Sequence, residues 1–320
     1  MKFDLYNDGL YLVVAIVLLI VLLGYLKLAP KWGLFDTPNE RSSHNEVTTR
    51  GAGIIFPIAL ILVGALVGFS SMPILIGGIL LGVLSFIDDL RNLTARFRLF
   101  IHLTIISWCL LSFQIDQTHL WLLPFAGFYF LWMMNAYNFM DGINGITAAN
   151  TVSHLLALLW LNDSVSFTDN KLLIILLIAT GVFSLFNFRI KARCFLGDVG
   201  SIPLGFVLIA LTIQAVITLN DINPLVFFAV YMIDSGWTIL QRLQAKENIF
   251  KPHRKHLYQL LVNELGWSHL WVAGLYFIVQ MGINALYFGF SWGKHLYLFL
   301  ILGLLSLIYV FIKRNLLRSF

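Results

Sequence analysis

Eleven stretches of continuous apolar residues divide the chain, each bounded by a short polar break. They cover approximately residues 10–29, 52–70, 73–87, 99–114, 120–138, 146–162, 171–188, 201–219, 224–241, 270–290 and 296–312. Most run for about 17–22 residues, the length an α-helix needs to cross the hydrocarbon core of a bilayer. A membrane β-barrel would instead alternate apolar and polar positions over about ten residues at a time. The pattern therefore predicts an all-α polytopic membrane protein with about 11 transmembrane helices. The third stretch is short because it runs into Asp88 and Asp89. The first is full length and lacks a small-residue cleavage site after it, so it is expected to stay as a helix.

Composition supports this reading. Hydrophobic residues make up 59% of the 320 and charged residues only 12%, where a soluble domain carries about 25% charged. One integral-membrane domain over residues 1–320 is expected, without internal repeats, low-complexity tracts or an appended soluble unit. The basic residues orient it. With the N-terminus outside, all but Lys2, Lys171 and Lys294 of the 21 Lys and Arg fall inside or at inner helix ends. The outer loops then carry Asp4, Asp8, Asp116, Asp163, Asp169 and Asp221. Positive charge stays on the cytoplasmic side, so a periplasmic N-terminus and a cytoplasmic C-terminus are expected. The +5 net charge is then a topological signal and gives no reason to expect nucleic acid; it favours anionic partners at the inner face. Cys109 within a span and Cys194 in an inner break suggest neither a disulfide framework nor a zinc site.

The inner breaks hold nearly all the unusual residues, which places the working face on the cytoplasmic loops. The first, "KWGLFDTPNERSSHNEVTTRGAG", sets Asp36, Arg41, His44 and Arg50 among turn formers. Arg41 and His44 are candidate substrate contacts, although juxtamembrane arginine also serves topology. The second, "FIDDLRNLTARFRL", places Asp88 and Asp89 at the membrane boundary. Adjacent carboxylates repel and are costly near lipid. They either cap a helix as solvated acids among Arg91, Arg96 and Arg98, or share a divalent cation such as Mg²⁺, which takes hard oxygen ligands. The third, "NFMDGINGI" (Asn138–Ile146), combines Asp141 with two glycines, and the fourth sets Asp198 between Gly197 and Gly200. Glycines let backbone N–H groups approach an anion closely. The fifth gathers Lys251, His253, Arg254, Lys255 and His256 after "IF", a cluster suited to phosphate. Asp234, within the ninth span, is functional or paired by default; Arg242, eight residues on, is its candidate partner.

The ordered set "DD", "NFMDGINGI", "FLGDVGS" and "PHRKHLYQ", with Asp36, Pro38, Asn39, Arg41, Ser42, Ser43 and His44 ahead of it, resembles the polyprenyl-phosphate N-acetylhexosamine-1-phosphate transferases over residues 30–260. These include enzymes that initiate O-antigen, common antigen and teichoic acid linkage units, and the pentapeptide transferase of peptidoglycan synthesis. The resemblance implies a UDP-N-acetylhexosamine donor, an undecaprenyl phosphate acceptor in the bacterial inner membrane, release of UMP, and Mg²⁺ (or Mn²⁺) as cofactor. A homodimer is also within the expected partners. By the same resemblance, Asp88 and Asp89 are catalytic or metal-associated and Asp198 is a direct metal ligand. Asn138 and Asp141 belong to the nucleotide and catalytic loop, and Asn187 to the same cleft. His253 and His256 carry a histidine motif that contacts phosphate or sugar, with Arg254 beside them, and Asp234 is counted among the substrate contacts.

Three positions depart from the fullest family pattern. Asn144 stands where a second acid of the third loop is usual, Asn92 ends the "DDxxD" form, and the histidine motif reads His-Arg-Lys-His. This last form resembles the surface-glycan branch and disfavours the pentapeptide substrate. The rival class is a secondary transporter with an intramembrane carboxylate. Transporters place such groups near the midplane and show inverted repeats, whereas these acids cluster at one face.

Overall fold

The computed structural model describes residues 5–38, 46–68, 72–113, 115, 117–249 and 253–318. Each of the eleven apolar stretches contains a helix: α1 (Leu5–Leu28), α2 (Ile55–Val67), α3 (Met72–Arg91), α4 (Ala95–Ser112), α5 (Leu123–Phe139), α6 (Ile146–Val165), α7 (Asn170–Asn187), α8 (Asp198–Leu219), α9 (Ala229–Gln244), α11 (His269–Gly289) and α12 (Leu296–Arg318). A short helix, α10 (Leu257–Asn263), and a two-residue antiparallel pair, β1 (Phe35–Asp36) with β2 (Thr48–Thr49), stand outside that pattern.

Eight helical segments among the described residues are long and apolar enough to cross a bilayer: Gly9–Trp32, Met72–Arg91, Ala95–Ser112, Asn170–Asn187, Asp198–Leu219, Asn223–Gln244, His269–Gly289 and Leu296–Leu316. The chain is a multi-pass membrane protein. The expected eleven spans therefore divide into these eight and three others. α2 has 13 residues and reaches only about 20 Å; α5 has 17. α6 is long enough at 20 residues but carries buried Asn150, Ser153, His154 and Asn162. His154 is used inside the bundle: its ring meets the Phe227 carbonyl (3.1 Å) and the Thr212 hydroxyl of α8 (2.8 Å).

Boundaries moved where a helix found no reason to stop. α3 continues to Arg91 and takes Asp88 and Asp89 into its last turns, where the sequence suggested a loop from residue 88. It ends at Asn92, which adopts a left-handed φ of 50° while its N–H donates to the Asp88 carbonyl (2.8 Å). Asparagine is among the few residues that tolerate this conformation. α4 then starts early because Thr94 caps it, its hydroxyl accepting from Phe97 N–H.

α8 is the central post, buried continuously from Val199 to Ile213; a helix apolar on all sides belongs in a core. α3 and α5 pack along it, and α2 and α6 also touch it. α7 bridges α1, α2 and α6, while α11 packs on α6 and α12 on α9. The alternating chain direction brings the C-terminal ends of α3, α5 and α7 to one face with the N-terminal ends of α6, α8 and α11. All the acidic motifs lie there.

A reporter fused after Phe320 is expected in the cytoplasm, and one inserted near Asp169 in the periplasm. The reversed pattern would leave the acid-bearing face on the side that lacks nucleotides.

Candidate active site

The loop between α5 and α6 is held from both sides. The α5 end contributes Asn138, whose Nδ2 donates to Asp198 Oδ1 (2.8 Å) and to Ser201 Oγ (2.8 Å), tying this loop to the first turn of α8. From the α7 end, Asn187 accepts the Gly145 N–H through Oδ1 (2.8 Å) and donates through Nδ2 to the Cys194 carbonyl (2.9 Å). Gly145 sits at φ +83°, where a side chain would be strained and would overlap the Phe188 ring. Asn144 donates through Nδ2 to the carbonyls of Arg189 (2.9 Å) and Ile190 (3.1 Å), and its N–H meets His269 Nδ1 (3.2 Å). An aspartate there would turn an acceptor toward two carbonyls. The departure at 144 thus exchanges a charge for a donor that pins the α7–α8 connection.

The first polar segment docks through its backbone. The N–H groups of Ala52 and Gly53 donate to the carbonyls of Phe195 (3.0 Å) and Leu196 (2.9 Å), and Phe195 N–H returns to Thr49 (2.8 Å). Gly53 and Gly200 lie against each other, and a Cβ on either would overlap the other's Cα. This contact sets Arg50 beside the acids: Nη2 lies 3.4 Å from Asp89 Oδ1, while the Arg50 carbonyl accepts from Tyr25 (2.8 Å). Arg98 pairs with Asp88 Oδ2 at 2.8 Å, and the same nitrogen lies 4.0 Å from Asp198 Oδ2. The other Asp88 oxygen accepts Leu93 N–H (2.7 Å).

These ties leave a cavity of about 300 Å³ lined by Asp36, Arg50, Asp89, Asn138, Asp141, Asn144, Asn187, Asp198, Gln259 and His269, among others. Of the residues singled out from the sequence, it brings together Asp89, Asn138, Asp141, Asn187 and Asp198. Asp88 stands behind Asp89 and reaches the cavity through Arg98. His256 is buried and His253 half-buried, their rings 5.0 Å apart; neither lines the cavity. Arg254 is exposed. Arg41 and His44 lie outside the described residues. Asp234 is buried at 2% exposure below the histidines, and its donors come from Tyr276, Tyr309 and the first N–H groups of α10 rather than from Arg242. Arg242 turns to Glu247 (3.2 Å) and the carbonyls of Asn248 and Ile249. Gln259 and His269 were missed: the only signal for either was a polar side chain near the start of an otherwise apolar helix.

Electrostatics follow from this crowding. Burial, joined by the charge of Asp198 and opposed by the Thr147 hydroxyl, pushes the Asp141 carboxyl up to about 7. Burial and the surrounding His256, Arg242, Lys313 and Lys255 hold His253 down at about 4, so it is neutral near neutrality. Among the described residues no three His, Cys, Asp or Glu side chains form a ready-made cation cage. Asp89 and Asp198 do offer hard carboxylate oxygens from two helices to one cavity. That donor set fits Mg²⁺, which takes one or two protein carboxylates and completes its shell with water and phosphate.

Residues 71–216 match the family described as glycosyl transferase family 4. That range contains Asp88, Asp89, Asn138, Asp141, Asn187 and Asp198 but neither His253 nor His256. The chain is 25% identical over 265 residues to a probable undecaprenyl-phosphate N-acetylglucosaminyl 1-phosphate transferase of Bacillus subtilis (strain 168), covering 76% of this chain and 73% of the relative. It is 25% identical over 251 residues to the undecaprenyl-phosphate alpha-N-acetylglucosaminyl 1-phosphate transferase of Thermotoga maritima, covering 76% and 78%. It is 27% identical over 239 residues to the phospho-N-acetylmuramoyl-pentapeptide-transferase of Thermotoga neapolitana, covering 68% and 74%.

The Asp141 shift has a consequence for stability. At about pH 8 the carboxylate is charged in both folded and unfolded chains, and only the folded chain holds it where burial penalises charge. As pH falls from about 7 toward 4, the folded state keeps a proton that the unfolded state releases, and the penalty fades. Asp141→Asn in metal-free detergent buffer is therefore expected to raise Tm at pH 8, with the gain vanishing near pH 4. Thermal melts across that range check this; an offset independent of pH would refute the buried charge.

Proposed function

Because residues 71–216 of this chain match glycosyl transferase family 4, we propose that it transfers an N-acetylhexosamine-1-phosphate from a UDP-sugar to undecaprenyl phosphate. UMP is released, and the lipid-diphosphate-linked sugar initiates O-antigen or another cell-surface glycan. The observation that carries the reading is the convergence of Asp89, Asp141, Asn138 and Asp198 on one cavity at the end of the apolar helices, with Arg50 and Arg98 beside them.

Phosphoryl transfer asks for in-line positioning and neutralisation of phosphate charge rather than for a strong acid or base. The acceptor phosphate monoester is largely dianionic near neutrality, its second pKa being about 6. An oxygen of that phosphate attacks the β-phosphorus of the donor. One P–O bond forms, the P–O bond to UMP breaks, and the electron pair leaves with the UMP phosphate. Asp198 and Asp89 would hold Mg²⁺, with Mn²⁺ as substitute, which supplies charge neutralisation at the donor diphosphate. Arg98, anchored on Asp88, presents its guanidinium next to Asp198, where phosphate charge would gather. The α8 N-terminus opens at Asp198, and helix N-termini favour anions. Asn138 fixes the orientation of the Asp198 carboxylate. A transporter reading would lean on Asp234 within α9, but that carboxylate is occupied by donors from α10, α11 and α12.

Purified protein supplied with undecaprenyl phosphate, Mg²⁺ and a panel of UDP-sugars is expected to release UMP with at least one of them. Asp89→Asn and Asp198→Asn should each lower turnover by about a hundredfold or more, the scale of a lost electrostatic group. Asp163→Asn, exposed near the far end of α6, should stay close to wild type. Equal behaviour of all three variants would remove the site assignment.

Direct displacement also predicts how label moves. UMP should exchange into UDP-sugar only when the lipid acceptor is present, because no sugar-phosphate adduct forms on the protein. Robust exchange by rigorously delipidated protein would establish a covalent intermediate instead.

A further inference from the structure

Asp234 is out of reach of the cavity, yet it is the most heavily bonded carboxylate among the described residues. Oδ1 accepts from Leu257 N–H (2.9 Å) and the Tyr309 hydroxyl (3.1 Å) and lies 3.4 Å from His256 Nδ1. Oδ2 accepts from the Tyr276 hydroxyl (2.7 Å) and Tyr258 N–H (3.4 Å). One side chain of α9 thus gathers α10, α11 and α12. The two amide donors belong to the first residues of α10, whose N–H groups have no partner within the helix. A buried carboxylate is tolerable only when so fully bonded.

What α10 delivers gives this junction a purpose. Tyr258, fully buried, passes its hydroxyl to the Phe139 carbonyl at the end of α5 (2.9 Å). The ring lies against Gly142, next to Asp141: a Cβ built at Gly142 would overlap the hydroxyl and lie 3.0 Å from Cζ. The following residue, Gln259, lines the cavity. The line runs from Asp234 through the first turn of α10 to Tyr258, and from there to the loop that carries Asp141.

We propose that Asp234 is a positioning residue: it fastens α10 so that Tyr258 wedges against Gly142 and fixes the Asp141 loop in the cavity. Gly142 is glycine because the tyrosine occupies the space of a side chain. The proposal deepens the transferase reading and rests on it only for its kinetic arm.

The test uses full-length protein in detergent with Gly142→Ala, Tyr258→Phe, Asp234→Asn and the doubles Gly142→Ala/Tyr258→Phe and Asp234→Asn/Tyr258→Phe. kcat and KM for the UDP-sugar are read alongside Tm. Gly142→Ala should lose about a hundredfold in kcat/KM, as a shift of about 1 Å near reacting groups does. Tyr258→Phe, missing one hydrogen bond, should lose about fivefold. Adding Tyr258→Phe to Gly142→Ala should restore at least about tenfold, since the two residues are in contact and their effects cannot be independent. Asp234→Asn/Tyr258→Phe should be no worse than Asp234→Asn alone, because the two act in series. Losses that multiply in both doubles would overturn the proposal. So would unchanged kcat/KM per folded protein with only Tm reduced, the mark of a merely structural residue. If Gly142→Ala fails to fold, the Asp234 and Tyr258 cycle decides alone. If wild-type protein turns over no UDP-sugar, the transferase reading falls, while partial recovery of the Gly142→Ala Tm by Tyr258→Phe still supports the wedge and its absence still refutes it.

Discussion

The cavity depends on one close approach of backbones. Gly53 and Gly200 touch, and only because neither carries a Cβ can Ala52 and Gly53 donate to the Phe195 and Leu196 carbonyls. That short ladder joins the segment after α1 to the segment before α8, two parts of the chain about 140 residues apart in sequence. Everything charged is arranged around it. Arg50 lies just before the ladder and Asp198 just after it, so docking the backbones also brings the guanidinium and the carboxylates into one space. A larger residue at either glycine would separate the two helices and open the cavity before any polar contact could compensate.

Uncharged groups do most of the fastening, and the charged ones stay available. Asn138, Asn144 and Asn187 each bond across two segments with both or one of their amide functions. Carboxamides can donate and accept at once and carry no net charge, so their burial costs less than that of ions. The arginines are held less tightly. Arg50 meets Asp89 at 3.4 Å and its side chain is 39% exposed, and Arg98 is 38% exposed. With more than a third of each arginine side chain exposed, both guanidiniums are open to a phosphate. Rigid neutral ties with exchangeable ion pairs above them are what a site for anionic substrates requires.

How far the sequence could be read follows from the range of each signal. Helix positions were visible because a bilayer imposes length and apolarity on every segment that crosses it. Asp141 and Asp198 were visible because glycines stand beside them where a helix gains nothing from glycine, and Asp89 because two adjacent carboxylates stand at the membrane boundary. The end of α3 was misplaced: charge alone does not stop a helix, and the turn at Asn92 rests on a local φ that composition does not encode. The partner of Asp234 was misplaced for a different reason. Arg242 is near in sequence, whereas Tyr276 and Tyr309 arrive from helices that only tertiary packing brings close. α10 is seven residues long, too short for periodicity to reveal, and it holds its shape through the carboxylate of another helix.

The same distinction explains why the histidine segment reads as part of the site and yet lies beside it. A cluster of His, Arg and Lys suggests phosphate by composition, but burial keeps His253 neutral at ordinary pH and places His256 against Asp234. Lys255 is drawn to Glu247. In this arrangement the segment works first as a clasp. Its anchoring at Asp234 sets Tyr258 and Gln259, and these in turn shape the wall on which the nucleotide sugar would rest. Charge reaches the cavity from the other side, through Arg50 and Arg98, whose backbones are fixed by the glycine ladder and by the capped start of α4. The two walls therefore divide the labour: one supplies the cationic groups and the other the shape. The Asp141 loop lies between them, tied to α7 and α8 by asparagines and braced by a tyrosine. A carboxyl held up to about 7 costs less to bury while protonated, and a cation arriving beside it would shift it further toward the anion.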